Sequence, residues 1–276
     1  MSYQDGILLG IVQGLTEFLP VSSSGHLVLV QSVIAGFRQP GVLFDVMLHF
    51  GTLLAIVFFL RKDLYDIGLA LLPAPWRRRG GDDCTDSHIR ERRKLAFFII
   101  VGTICTGTIG LMFKDHIHGF FDRVEVVAVM LLVTGTLLFL SDRVKNPTRG
   151  EGDLNIFDSI VIGVVQAAAL MPGLSRSGAT IAVGIFRGVE GETAARFSFL
   201  LSIPAVAGAT VIELPYMSEI TPGEMTVYLA GMVAAVITGL LTLKLLFFII
   251  KKRRLSVFAL YCWVLGIATL IIRSVI

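Results

Sequence analysis

Six long apolar stretches constrain this chain more than any other feature: Val42 to Leu60, Leu95 to Phe113, Val126 to Leu140, Ala194 to Leu214, Met225 to Ile250 and Leu255 to Ile272. A helix needs roughly 20 apolar residues to cross the hydrocarbon of a bilayer, and each stretch meets or nearly meets that length. Of the 276 residues, 54% are hydrophobic and only 16% charged, a balance that a water-soluble domain would have to expose. The expected fold class is therefore an all-α polytopic membrane protein with about six transmembrane helices. Met1 to Gly6 carries no basic segment, and no cleaved signal peptide is expected.

The net charge of +3 does not point to a nucleic acid, because the basic residues gather between spans. Nine Lys and Arg lie in Arg61 to Lys94, three in Arg143 to Arg149 and four in Lys251 to Arg254, whereas Leu214 to Glu224 has none. Basic loops stay cytoplasmic. Threading the spans accordingly puts Met1 to Gly41, Lys114 to Glu125 and Ile276 outside, with Arg61 to Lys94 and Asp142 to Asn155 inside. The three cysteines, Cys84, Cys105 and Cys262, are far apart, lack metal-ligand spacing and are expected to be inert.

Two further apolar regions, Gly6 to Phe37 and Ile156 to Val189, are each cut near the middle by Pro, Gly and hydroxyl residues. A piece such as Ile7 to Leu19 reaches only about 20 Å at about 1.5 Å per residue, too short to cross. Each region is read as a re-entrant pair of half-helices, against a rival reading as two tilted spans. Shifting the chain by 153 positions lays Asp5, Gly10, Gln13, Ser22, Ser24 and Gly25 on Asp158, Gly163, Gln166, Ser175, Ser177 and Gly178. An internal repeat explains this, with copies at about 1–141 and 154–276 in one membrane domain. Each copy holds one re-entrant pair and three spans. Three is odd, so the second copy inserts upside down and the site is expected between the copies.

The first broken region reads Gln13-Gly14-Leu15-Thr16-Glu17-Phe18-Leu19-Pro20-Val21-Ser22-Ser23-Ser24-Gly25-His26. Gln13 and Glu17, four apart, share a helix face. Pro20 ends that half-helix, and Ser22 to Ser24 offer N-caps to the next, whose free N–H groups and positive dipole end suit a phosphate. The second region, Met171-Pro172-Gly173-Leu174-Ser175-Arg176-Ser177-Gly178-Ala179-Thr180, repeats the pattern with a guanidinium able to fork onto phosphate oxygens. Single serines and glycines in apolar helices often only pack. Glu17, His26 and Arg176 are different, since an ionisable group deep in a membrane is costly and marks function. Asp45 and His49, on one face of the third helix, are candidates for a supporting layer. The inventory fits a phosphoryl hydrolase, with nucleophile, proton carrier and charge clamp, or a transporter that binds an anion at the same broken helices.

The stretches Gln13 to His26 and Pro172 to Thr180 resemble the two signature motifs of the undecaprenyl pyrophosphate phosphatase family, of the bacitracin-resistance type, and the likeness covers essentially the whole chain. The resemblance implies hydrolysis of undecaprenyl pyrophosphate to the monophosphate lipid carrier and inorganic phosphate, for cell-wall synthesis, at the outer face of a bacterial plasma membrane. It implies Glu17, Ser23, His26 and Arg176 as catalytic residues, with substrate held by Gln13, Ser22, Ser24, Gly25, Ser175, Ser177, Gly178 and Thr180. A divalent cation, Mg or Ca, is implied too, with Glu17 as its ligand. Gln13 stands where many members have Glu, which removes one carboxylate from such a site. The partners implied are a polyprenyl pyrophosphate and membrane lipid, with no nucleic acid and a homodimer left open. Ser23 or His26 could be the nucleophile, since both stand at the start of one half-helix.

Overall fold

A computed structural model describes residues 1–34, 42–73, 86–120, 123–213 and 221–275. Cys84 lies outside the described residues. In chain order the helices are α1 (Tyr3–Phe18), α2 (Ser23–Val33), α3 (Val42–Phe59), α4 (Arg61–Leu71), α5 (Asp86–His118), α6 (Val124–Ser141), α7 (Ile156–Ala168), α8 (Arg176–Phe186), α9 (Gly191–Glu213), α10 (Pro222–Lys251) and α11 (Ser256–Val275). Five of them, α5, α6, α9, α10 and α11, are long and apolar enough to cross a membrane, and α3 with its continuation α4 makes a sixth, bent by 73°. The protein is a multi-pass, all-α membrane protein. Large apolar side chains such as Phe58, Leu111, Met112, Leu241 and Val264 lie exposed on its flanks, where lipid tails solvate them.

Two groups of contacts define the two faces. On one, Arg92 bridges Asp63 (3.4 Å) and Glu151 (3.1 Å), Arg196 bridges Asp63 (3.0 Å) and Glu192 (3.2 Å), and Lys251 lies 3.5 Å from Glu192. These pairs gather the three basic segments of the sequence on one face. On the other, the Tyr3 hydroxyl bonds Thr226 (2.5 Å) and Arg273 pairs with Glu125 (2.9 Å). Two features of the basic face exceed what patterning foretold. The segment after Leu60 forms α4, and α5 starts at Asp86, well before the apolar run at Leu95. A helix satisfies its own backbone in water as in lipid, so a change of polarity need not end it. The guanidinium of Arg93 also reaches back to the Ala70 carbonyl (2.6 Å), tying α5 to the end of α4.

Both broken regions fold as hairpins that leave by the face they entered. In the first, Tyr3 starts α1 beside Thr226, and Gln31 near the end of α2 bonds Asp45 in the first turn of α3 (3.2 Å). In the second, Arg149 grips Asp158 at the start of α7 (2.6 Å) and the Arg187 carbonyl just past α8 (2.7 Å), while its own carbonyl accepts from the Glu190 N–H (2.9 Å). The first hairpin opens to the face of Thr226 and Glu125, the second to the basic face. Two tilted spans per region would also return to the face they entered, but pairs that crossed fully from opposite faces could not meet at their tips. The tips meet inside the protein: Ser177 Oγ donates to the Leu19 carbonyl (3.4 Å), and a Cβ on Gly25 would lie 3.3 Å from Gly173 Cα.

Small residues let these short helices lie flush against spans. A Cβ on Gly10 of α1 would stand 2.1 Å from the Gly231 carbonyl of α10, and one on Gly163 of α7 would stand 2.6 Å from the Gly102 carbonyl of α5. Lipid is as apolar as Leu, so helix association in a membrane depends on this close approach more than on burial of apolar area. Beneath the hairpins a core forms around Phe18, Phe199 and Phe247, with Phe18 edge-on to Phe199 (centroids 5.8 Å apart).

Candidate functional site

The site begins with two helix starts brought tip to tip. Ser22 takes φ of 72°, uncommon for a residue with a Cβ, and from there its Oγ accepts the Gly25 N–H (3.3 Å) to cap α2. Ser175 caps α8 in the same manner through the Gly178 N–H (3.1 Å). Each cap answers only its third residue. The N–H groups of Ser23 and Ser24, and of Arg176 and Ser177, are first-turn donors without an intrahelical acceptor, and the dipole of each helix adds partial positive charge there. Gly173, at φ of 92°, makes the second tip feasible, and Thr134 of α6 pins it by accepting the Ser175 N–H (3.0 Å) and donating to the Gly173 carbonyl (3.2 Å).

Between the tips lies a cavity of about 230 Å³ whose polar end is lined by Glu17, Ser22, Ser23, Ser24, Ser175, Arg176 and His49. Glu17 is buried and organises it. One carboxylate oxygen pairs with the Arg176 guanidinium, and the other accepts from the Ser23 hydroxyl (2.5 Å) and from Gln13 Nε2 (3.0 Å). The guanidinium thus spends Nη2 on Glu17, while Nη1 is buried with no partner among the described residues. Such a donor is unstable unless something accepts from it. The arrangement offers an anion at the tips a free guanidinium nitrogen, two sets of helix-start N–H groups and a hydroxyl already bonded to a carboxylate.

The other expected site residues divide. Gln13 lies fully buried behind Glu17. Gly25 and Gly178 supply the capped N–H groups, and Ser177 ties the two tips together and sits 3.3 Å from Ser175 Oγ. Thr180 does not reach the cavity: its hydroxyl bonds the Arg176 carbonyl (2.7 Å) and Ser198 (2.5 Å), locking α8 to α9. His26 also stands apart. Its Nδ1 is 2.7 Å from the Ser22 carbonyl, its Nε2 is 2.7 Å from the Tyr261 hydroxyl, and the two rings stack. The imidazole that does face Glu17 is His49, with Nδ1 at 3.4 Å from the carboxylate and 2.7 Å from Gln13 Nε2. The spacing of Asp45 and His49 suggested a supporting layer and no more. Tyr261, 235 residues from its partner, left no local signal.

The residues present do not build a dedicated cation cage. Among the described residues no three of His, Cys, Asp and Glu converge, and both oxygens of the carboxylate in the site are engaged. Hard cations need several oxygen ligands. Away from the tips the cavity continues past Val46, Leu170, Ala205, Val206 and Ala209, an apolar wall beside the polar end, with Thr106, Gln166, Ser202 and Thr210 among the rest of its lining.

Comparison with known proteins finds relatives over nearly the full length of the chain. The chain is 46% identical over 266 residues to the undecaprenyl-diphosphatase of Syntrophotalea carbinolica, covering 96% of this chain and 97% of that protein. It is 45% identical over 268 residues to the undecaprenyl-diphosphatase of Desulfosudis oleivorans, covering 96% of each. A third relative, the undecaprenyl-diphosphatase of Methanobrevibacter smithii, is 40% identical over 274 residues, or 97% of this chain and 96% of that one. Residues 6–268, which run from within α1 to within α11, match the family described as bacitracin resistance protein BacA, and the chain belongs to that family.

Proposed function

We propose that this protein hydrolyses undecaprenyl pyrophosphate to undecaprenyl phosphate and inorganic phosphate. The observation that carries the reading is the Ser23 hydroxyl held 2.5 Å from the Glu17 carboxylate, beside a guanidinium with one buried nitrogen to spare. Ser23 Oγ attacks the terminal phosphorus while Glu17 takes its proton; the bridging P–O bond breaks and the lipid monophosphate leaves. Water then attacks the phosphoserine, releasing phosphate and restoring the hydroxyl. Arg176 Nη1 and the N–H groups at the starts of α2 and α8 hold the charge spread over the phosphoryl oxygens. His26 supports this division of labour as a brace, because both its ring nitrogens are occupied by Ser22 and Tyr261.

The apolar wall of the cavity suits the prenyl chain. On the rule that basic loops stay in the cytoplasm, the face carrying Arg92, Arg196 and Lys251 is cytoplasmic, and the first hairpin, with Ser23 and Glu17, enters from the outer side of a plasma membrane. In the same reading residues 1–141 and 154–276 are two inverted copies whose meeting place is the site. All of its groups come from one chain, so a homodimer is not needed to complete it. The test is phosphate release by purified protein given a polyprenyl pyrophosphate. Wild type should turn over, and Ser23→Ala should bind the lipid yet release nothing. Lipid binding without hydrolysis by wild type would leave a transporter instead.

A further inference from the structure

The family resemblance implies a divalent cation at Glu17, and the geometry around that carboxylate disagrees. Its one charge is matched by Arg176, and its second oxygen already accepts from Ser23 and Gln13. Where a second carboxylate would stand, the Gln13 amide sits with Nε2 at 3.0 Å from Glu17 Oε2 and 2.7 Å from His49 Nδ1. An amide oxygen turned that way would face a carboxylate oxygen at the same distance, so the nitrogen must face Glu17. The same nitrogen then meets His49, whose Nδ1 receives it through its lone pair. A cation entering here would have to displace two hydrogen bonds and sit beside a guanidinium.

We propose that Gln13, steadied by His49, replaces a cation-binding carboxylate: its uncharged amide donates one hydrogen to Glu17 and the other to His49 Nδ1, and the free protein takes up no divalent cation at this site. The consequence is that Gln13→Glu alone would build one. That exchange puts a carboxylate oxygen about 3 Å from the oxygen of Glu17, and two carboxylates so close cannot both stay ionised without a cation between them. The Nδ1 lone pair of His49 would be the third ligand. Any divalent ion that assists the wild-type reaction would then arrive on the phosphates of the lipid, as such ions commonly do. The inference leans on the hydrolase reading only for that last point, because cation uptake by the free protein is measured without turnover.

The experiment is a Mn2+ titration of detergent-purified full-length protein, with no lipid, followed by the electron paramagnetic resonance of the free ion. Wild type should leave the ion free into the millimolar range, and Glu17→Gln should behave the same. Gln13→Glu should bind one equivalent at least about tenfold more tightly, and His49→Ala in that background should weaken it by a similar factor. Sub-millimolar binding by wild type that Glu17→Gln abolishes would overturn the proposal, and this pair of proteins decides it even if Gln13→Glu fails to fold. So would a Gln13→Glu protein with the thermal midpoint of wild type and no gained affinity. Failure of hydrolysis in wild type would count against the proposed function and leave this result standing.

Discussion

At Arg176 one side chain would serve two anions in the proposed reaction: Nη2 is given to Glu17, and Nη1 is buried with no partner among the described residues. Arg176→Lys keeps the charge but cannot span both, so turnover should fall at least about 100-fold, near the ~2.7 kcal/mol lost with one transition-state donor. Steady-state phosphate release checks this, and wild-type turnover would reduce Arg176 to a partner of Glu17. Ser23 and His26 separate more sharply. Ser23→Ala removes the hydroxyl that meets the carboxylate and should abolish turnover, whereas His26→Gln and Tyr261→Phe loosen only the brace on Ser22 and should leave measurable rates. Activity in Ser23→Ala above that of His26→Gln would move the nucleophile to the imidazole. The motif could not make this choice. Two residues at the start of one half-helix lie three apart in sequence, and which one turns toward Glu17 depends on the helix they pack against.

Along the hairpins, stability rests on backbone approach. Gly10→Ala would set a methyl 2.1 Å from the Gly231 carbonyl, and Gly163→Ala would set one 2.6 Å from the Gly102 carbonyl. Each should destabilise by about 1–3 kcal/mol, as overpacking does. Gly68→Ala in α4 meets nothing within 4 Å and should be neutral or stabilising by about 0.5–1 kcal/mol. Unfolding midpoints in detergent would rank the three, and equal midpoints would show that the short helices do not depend on these crossings. The pairing of Gly10 with Gly163 was legible as a coincidence under the 153-residue shift. Their partners, Gly231 and Gly102, were not, because apolar spans carry no mark of which neighbour they touch.

Across the whole molecule the ion pairs of Arg92, Arg196 and Lys251 and the opposing contacts of Tyr3 and Glu125 give two faces. In a background freed of its native cysteines, Gly223→Cys should be labelled from outside intact cells by an impermeant thiol reagent, and Thr148→Cys only after the membrane is breached. Labelling of Thr148→Cys from outside would invert the assignment of the basic face to the cytoplasm.

Six spans, two broken regions, the gathering of the basic segments on one face and the residues of both motifs all followed from the chain itself. Each is set by a local property: hydropathy over a bilayer's width, Pro and Gly at a break, or the sign of a loop's charge. The helix caps at Ser22 and Ser175 were legible for the same reason, since a cap and the N–H it answers lie three residues apart. Tertiary structure alone decided that Glu17 meets Arg176 across 159 residues, that His49 stands beside that carboxylate, and that His26 turns to Tyr261. Those contacts join separate helices. A membrane span presents apolar side chains on every side, so its pattern fixes that it crosses, while close packing against particular neighbours fixes its rotation and hence the partners of its few polar groups.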